Sequence, residues 1–246
     1  MDSKFKWIPR IVTGLLTYLL ASAPLQKLLF FEDIFFDHVH TNIFDHLWLI
    51  VIFLIIIYIV AEFIVSYRNR NKTLEIQCHN ISRYIYKCIE KELGQDFAPN
   101  IRVTVFKAFK PNTEDVYIKP VCRYQKMEPL KKSKIKFKPG QGCAGVCFQT
   151  QNLVMDNLPE YNEKNASKYY EKSFKSYNME QGMVDKLNIK SSLYLGIPIK
   201  CFDSDKTWGV LLIDSPKNNE RFNNSIARKL ELIIDHYTVF FTEEDK

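Results

Sequence analysis

Residues 47–61 read LWLIVIFLIIIYIVA, fifteen apolar positions in an unbroken row, and after Glu62 the run resumes through Phe63, Ile64 and Val65. A helix needs about 20 such residues to cross the hydrocarbon core of a bilayer, and a soluble core helix would interpose polar residues at the helical period. The pattern therefore predicts a membrane span. An earlier apolar segment, residues 11–31, carries only Lys27 and Pro24 as interruptions. Its basic start and its Ala21-Ser22-Ala23 tripeptide also have the form of a cleavable signal. Pro24 beyond the cut and the continuing run through Phe31 favour a retained, kinked first span.

The patterning changes after residue 66. In residues 72–94, Leu74, Cys78, Ile81, Ile85 and Cys88 recur at steps of four and three, a seam that predicts a helix ending at Gly94. That seam suits a parallel homodimer contact as well as packing on the chain's own sheet. Alternation at Ile101, Val103 and Val105 predicts a strand, with a second at 116–124 interrupted by Pro120. Residues 134–138 alternate Lys with Ile135 and Phe137 and read as a further strand with a solvated or ligand-facing basic side. A glycine-rich turn, PGQGCAGVCFQT at 139–150, leads into a short helix, and Leu153–Asp156 forms a short strand. Ala166, Tyr170, Phe174 and Tyr177 share a helical face. Strands at 193–199 and 208–213 are joined by a hairpin at Asp203-Ser204-Asp205. A closing helix starts near Ser225 and presents Ile226, Leu230, Ile233, Ile234 and Tyr237.

Charge orients this plan. No Lys or Arg lies between Lys27 and Arg68, while Lys4, Lys6 and Arg10 precede the first run and Arg68, Arg70 and Lys72 follow the second. The positive-inside rule then places both termini in the cytoplasm and the acidic loop outside, a multi-pass topology in the inner (plasma) membrane. The net charge is +6 at pH 7. Four of the 34 cations and six of the 28 anions fall at or before Glu62, leaving 30 against 22 beyond it. A basic domain beside a bilayer is drawn to anionic headgroups, and an anionic ligand is the alternative meaning. The six cysteines all follow the second run and form no CxxC pair, which suits reduced thiols on the cytosolic side. Glu62 reads as interfacial or as facing a protein interior.

The sequence lacks GxxxxGK[ST], GxSxG and HExxH, and its five histidines lie outside the expected pocket, so catalytic and metal-centre readings find no support in motifs. The GxGxxG within 140–145 lacks the buried parallel strand and second βα unit of a dinucleotide fold. No kinase, cyclase or DNA-binding region is expected, since the chain ends four residues after the closing helix.

The order helix, strands, glycine-rich turn, short strand ending in Asp156, variable segment 157–190, SSLYLGIPI, WGVLLIDSP and closing helix resembles the GAF domain family over roughly residues 73–242. The resemblance implies an α+β fold: an antiparallel sheet of about six strands with flanking helices, here preceded by a two-helix transmembrane hairpin. The domains expected are 1–66 (spans about 11–31 and 47–65), a connecting and dimerisation helix at 67–94, and a cytosolic sensor domain at 95–246. It also implies a non-enzymatic ligand-sensing role, with a pocket between the sheet and the segment that crosses it. The ligand-binding candidates are Phe137, Cys143, Tyr170, Phe174, Tyr177, Ser191, Ser192 and Tyr194. The family's cyclic-nucleotide constellation is incomplete, because Ile226 and Ala227 stand where an acidic pair belongs after Asn218 and Phe222. Its bilin Cys-His pair appears only as Cys78-His79, outside the pocket. No cofactor is assigned. The partners expected are the lipid bilayer, a second copy of the chain and a small molecule, with a cyclic nucleotide among the candidates and nucleic acid excluded. Two functions stay open: a membrane-tethered sensor, or a bacterial antiviral effector in which a nucleotide second messenger drives the spans to disrupt the membrane.

Overall fold

The computed structural model describes residues 40–109, 114–126 and 135–241, with side chains from residue 52. The expected first span, the outer loop up to residue 39 and residues 127–134 lie outside these residues. The chain divides into two compact units between Thr73 and Leu74.

In the first unit the described residues belong to helix α1 (His40–Leu93), the element predicted from the long apolar run. From Ile52 to Thr73 its side chains are almost all exposed, Phe63 at 71%. The helix is long and apolar enough to cross a membrane, with a mean hydropathy of 1.8 over its most apolar window. One such helix is described, where the sequence predicts a hairpin of two.

The second unit opens with residues 74–93 of the same helix. Here Leu74, Cys78, Ile81, Ile85, Ile89 and Leu93 are buried and join one hydrophobic core. The seam expected to serve a dimer is thus committed to the chain's own sheet. Its spacing satisfies either partner equally, and burial of Cys78 and Ile85 leaves neither free for a second copy. The helix ends at Gly94, whose amide bonds the Glu90 carbonyl at 3.0 Å.

Five strands follow: β1 (Arg102–Phe109), β2 (Tyr117–Tyr124), β3 (Val154–Asn157), β4 (Leu193–Lys200) and β5 (Thr207–Ser215). They pair antiparallel in the order β2-β1-β5-β4-β3. This is the α+β antiparallel sheet with flanking helices that the resemblance implies, with five strands among the described residues in place of about six. Among the described residues of the expected strand at 134–138 there is an isolated bridge, Ile118 to Phe137, with amide-to-carbonyl bonds of 2.9 and 3.0 Å. Pro120 sits on the edge strand, where a missing N–H costs least, and the β1–β2 register slips beside it.

One face of the sheet packs on residues 74–93 of α1 and on α5 (Asn224–Tyr237), around Val103, Val105, Leu195, Ile197, Leu211 and Ile213. Helix α5 is capped by Asn223, which accepts from the amides of Ser225 and Ile226, so the cap lies two residues before the Ser225 expected from sequence. The other face carries a second core of Phe106, Ile118, Val210 and Leu212 against α2 (Gly142–Thr150), α3 (Ala166–Tyr177) and α4 (Gln181–Val184). The glycine-rich turn is what brings α2 onto this face. Gly140 and Gly142 take φ of +77° and +68°, and the Gly140 amide bonds the Gly145 carbonyl at 2.8 Å.

Candidate functional site

The face carrying the second core is not wholly apolar. Antiparallel register aligns Arg102 of β1 with Asp214 of β5, Asp214 with Tyr194 of β4, and Tyr194 with Asp156 of β3. Because side chains alternate along a strand, these residues lie in one row on the face opposite α1. Thr104 pairs with Arg123 of β2 in the next register.

The row is held by a buried network. Arg102 donates to Asp214 Oδ2 through Nε at 3.1 Å and also through Nη2, and donates from Nη2 to Ser191 Oγ at 3.0 Å. Ser191 Oγ donates in turn to Asp214 Oδ2 at 2.5 Å. Tyr169 Oη donates to the Ser191 carbonyl at 2.7 Å. Arg102 is only 8% exposed. Burial acts to lower its pKa, and the Asp214 carboxylate outweighs that, so the guanidinium is held charged. Arg123 donates from Nε to Thr104 Oγ1 at 3.0 Å.

Beside this row a cavity of about 970 Å³ opens. Its walls are the sheet face (Arg102, Phe106, Arg123, Tyr194, Leu212, Asp214), the turn and first residues of α2 (Phe137, Gly142, Cys143, Ala144), and the segment from Met179 to Ile189. Its volume falls at the upper end of the range for small-molecule sites.

Of the eight sequence candidates, Phe137, Cys143 and Tyr194 line this cavity. The other five do not. Tyr177 is buried in the core, its ring 5.4 Å from that of Tyr194. Tyr170 turns outward and donates to Asp185 Oδ1 at 2.7 Å. Phe174 is 55% exposed. The buried stripe of α3 is Tyr169, Ser173 and Tyr177, which shares Tyr177 with the expected stripe and is otherwise one position out of phase with its Ala166, Tyr170 and Phe174. Adjacent tyrosines at 169 and 170 make the two phases alike in sequence, and the bond from Tyr169 to the Ser191 carbonyl selects the inner one. Ser191 supports Arg102 and Asp214 from behind the wall, and Ser192 Oγ donates to the Pro216 carbonyl at 2.8 Å.

Sequence reasoning missed Arg102, Arg123, Asp214 and residues 179–189. A signal existed for two of them: an Arg and an Asp inside strands that are otherwise apolar are costly unless they pair.

The two thiols of α2, Cys143 and Cys147, are poor nucleophiles. Burial, then the neighbouring Cys147, pushes the Cys143 thiol well above its ordinary value. Burial, then Glu231, pushes Cys147 up to about 12. At neutral pH both stand as neutral thiols. Among the described residues no group of three or more His, Cys, Asp or Glu is placed to hold a metal.

No family model matches the chain, and no curated protein matches it. Solved structures do. A type II free methionine-R-sulfoxide reductase from Thermoplasma acidophilum is similar at 13% identity and TM-score 0.44, over 68% of this chain and 92% of that one. A GAF domain region from Geobacter sulfurreducens PCA is similar at 16% identity and TM-score 0.44, over 71% and 97%. A free methionine-R-sulfoxide reductase of Staphylococcus aureus, in complex with substrate, is similar at 15% identity and TM-score 0.40, over 67% and 95%.

Proposed function

We propose that the chain is a membrane-anchored sensor whose GAF-like unit binds a small molecule, and that it acts by binding rather than by catalysis. The observation that carries this reading is the cavity of about 970 Å³, with apolar walls and a few convergent polar groups on a rigid sheet. The exposed apolar stretch of α1 supports the anchor. The raised pKa values of Cys143 and Cys147 count against thiol catalysis at these two residues.

The test is thermal unfolding of the detergent-solubilised full chain, with cyclic mono- and dinucleotides and neutral metabolites each in turn. A ligand at 100 times its dissociation constant adds about 2.7 kcal/mol. A panel in which nothing stabilises the chain counts against sensing. The effector alternative, a nucleotide second messenger acting through the membrane segment, draws support from the arginines on the cavity wall. It gains if only nucleotides stabilise the chain.

For the anchor, the reading includes two spans with both termini cytoplasmic. A reporter fused after Lys246 is expected to be active in the cytosol, and one inserted near Thr41 to be exported. An exported C-terminus would refute this topology and point to a cleaved leader.

A further inference from the structure

Arg102 and Arg123 reach the same cavity from neighbouring strands. Arg123 stands opposite Thr104, and Arg102 lies two residues along the same face of β1. Diagonal neighbours of this kind are about 7–8 Å apart at the backbone. The two differ in how their charge is met. Arg102 is matched by Asp214 and Ser191. Arg123 bonds the Thr104 hydroxyl, and among the described residues it meets no carboxylate. Burial, and then the charge of Arg102, lower its pKa against a smaller opposing pull from the Asp214 carboxylate, which Arg102 already engages.

The rest of the lining points the same way. Lys136 and Lys186 also lie on the wall, so four cations face two carboxylates, Asp214 and Glu180, and Asp214 is engaged by Arg102. Gly142–Ala144, the first turn of α2, faces the cavity with the positive end of its helix dipole.

We propose that the Arg102–Arg123 end of the cavity holds an oxyanion, the phosphate or carboxylate of a ligand whose apolar body lies against Phe106, Phe137 and Leu212. A guanidinium fork matches the planar edge of a carboxylate or two oxygens of a phosphate. Arg123 is the residue with donors to spare, and Arg102, fixed by Asp214, shapes the field around it. This assignment rests on reading the cavity as the ligand site.

The experiment uses the full chain in maltoside, at ionic strength held constant with potassium chloride. Unfolding is followed by tryptophan fluorescence as inorganic phosphate or acetate replaces chloride. The melting midpoint of the wild type is expected to rise with phosphate or acetate. Arg123→Gln is expected to weaken the apparent affinity about tenfold or more, the loss of a charge-assisted bond, and Arg123→Lys to keep part of it. No rise in the wild type, or an equal rise in wild type and Arg123→Gln, overturns the proposal.

Dihexanoyl phosphatidylglycerol, added in the same assay, distinguishes a lipid headgroup from free phosphate. An effect through Arg123 at lower concentration than phosphate assigns the oxyanion to lipid. The two readings fail separately. A neutral compound that stabilises the chain while phosphate acts equally on both proteins removes the oxyanion and leaves the sensor. An Arg123-dependent phosphate effect, with no organic compound stabilising the chain, leaves the anion site and removes the sensor.

Discussion

Asp214→Ala is expected to cost about 3–5 kcal/mol of folding stability, since it strands a buried guanidinium. Asp214 is 3% exposed and takes bonds from Arg102 and Ser191 on the central strand of the sheet. Removing it leaves Arg102 charged, 8% exposed and without its carboxylate. Ser191 cannot replace it, because a hydroxyl offers no counter-charge. The same argument predicts a recovery. In Arg102→Met/Asp214→Leu both charges go, and apolar side chains fill much of the space beside the Thr104–Leu212 pair. Replacing a buried ion pair in this way is often neutral or stabilising. Denaturant midpoints of the two variants provide the check. A loss under about 1 kcal/mol for Asp214→Ala would mean that water or another group already meets the Arg102 charge.

Gly209→Ala is expected to be as severe for a steric reason. A Cβ at this position would sit 2.0 Å from the Phe106 carbonyl oxygen, 3.1 Å from its carbon and 3.2 Å from Lys107 Cα. All three atoms are backbone of β1, which pairs with β5 through Lys107 and Gly209. No side chain is there to rotate away, so the added methyl must part the two central strands. We expect a loss of about 3 kcal/mol or more, at the upper end of overpacking. Gly182→Ala is the control. Its Cβ meets no atom within 4 Å, and the change is expected to stay within about 0.5 kcal/mol. Because Gly→Ala on its own lowers the entropy of the unfolded chain and stabilises, equal losses at the two positions would contradict a cost set by the close approach at Gly209.

Much of this fold is legible in the sequence, because the elements differ in period. The 47–65 run, the alternation in β1, the short apolar runs of β4 and β5, and the i, i+3/i+4 stripes of α1 and α5 each follow from a simple rule. Other features failed where two patterns look alike. The α1 seam has the spacing of a dimer contact and also of a helix packed on a sheet; the buried cluster on Val103, Leu195 and Leu211 shows the second. The tyrosine stripe of α3 is doubled at Tyr169 and Tyr170, so periodicity alone gives no phase. Lys134–Lys138 alternates like a strand, yet among its described residues only Phe137 pairs.

The site was the least legible part. In IRVTVF the polar residues Arg102 and Thr104 read as a solvated face by alternation. In the structure that face is covered by α2 and the 179–189 segment, and both residues are buried. A sheet clad on both sides hides its polar row from any rule that equates polar with exposed. The counter-charge, Asp214, lies 112 positions away in sequence. Only the antiparallel register of β1 with β5 brings the two together.

The account stands on the cavity being a ligand site, and blocking it is the most direct test. Gly182 lies on its wall with open space at its Cβ, so Gly182→Trp adds an indole there without crowding the backbone. The measurement is the melting shift of the full chain, wild type against Gly182→Trp, with the compound that most stabilises the wild type. The prediction is an unchanged melting point without compound and loss of the shift with it. A shift of equal size in both proteins would place the binding elsewhere and contradict the account.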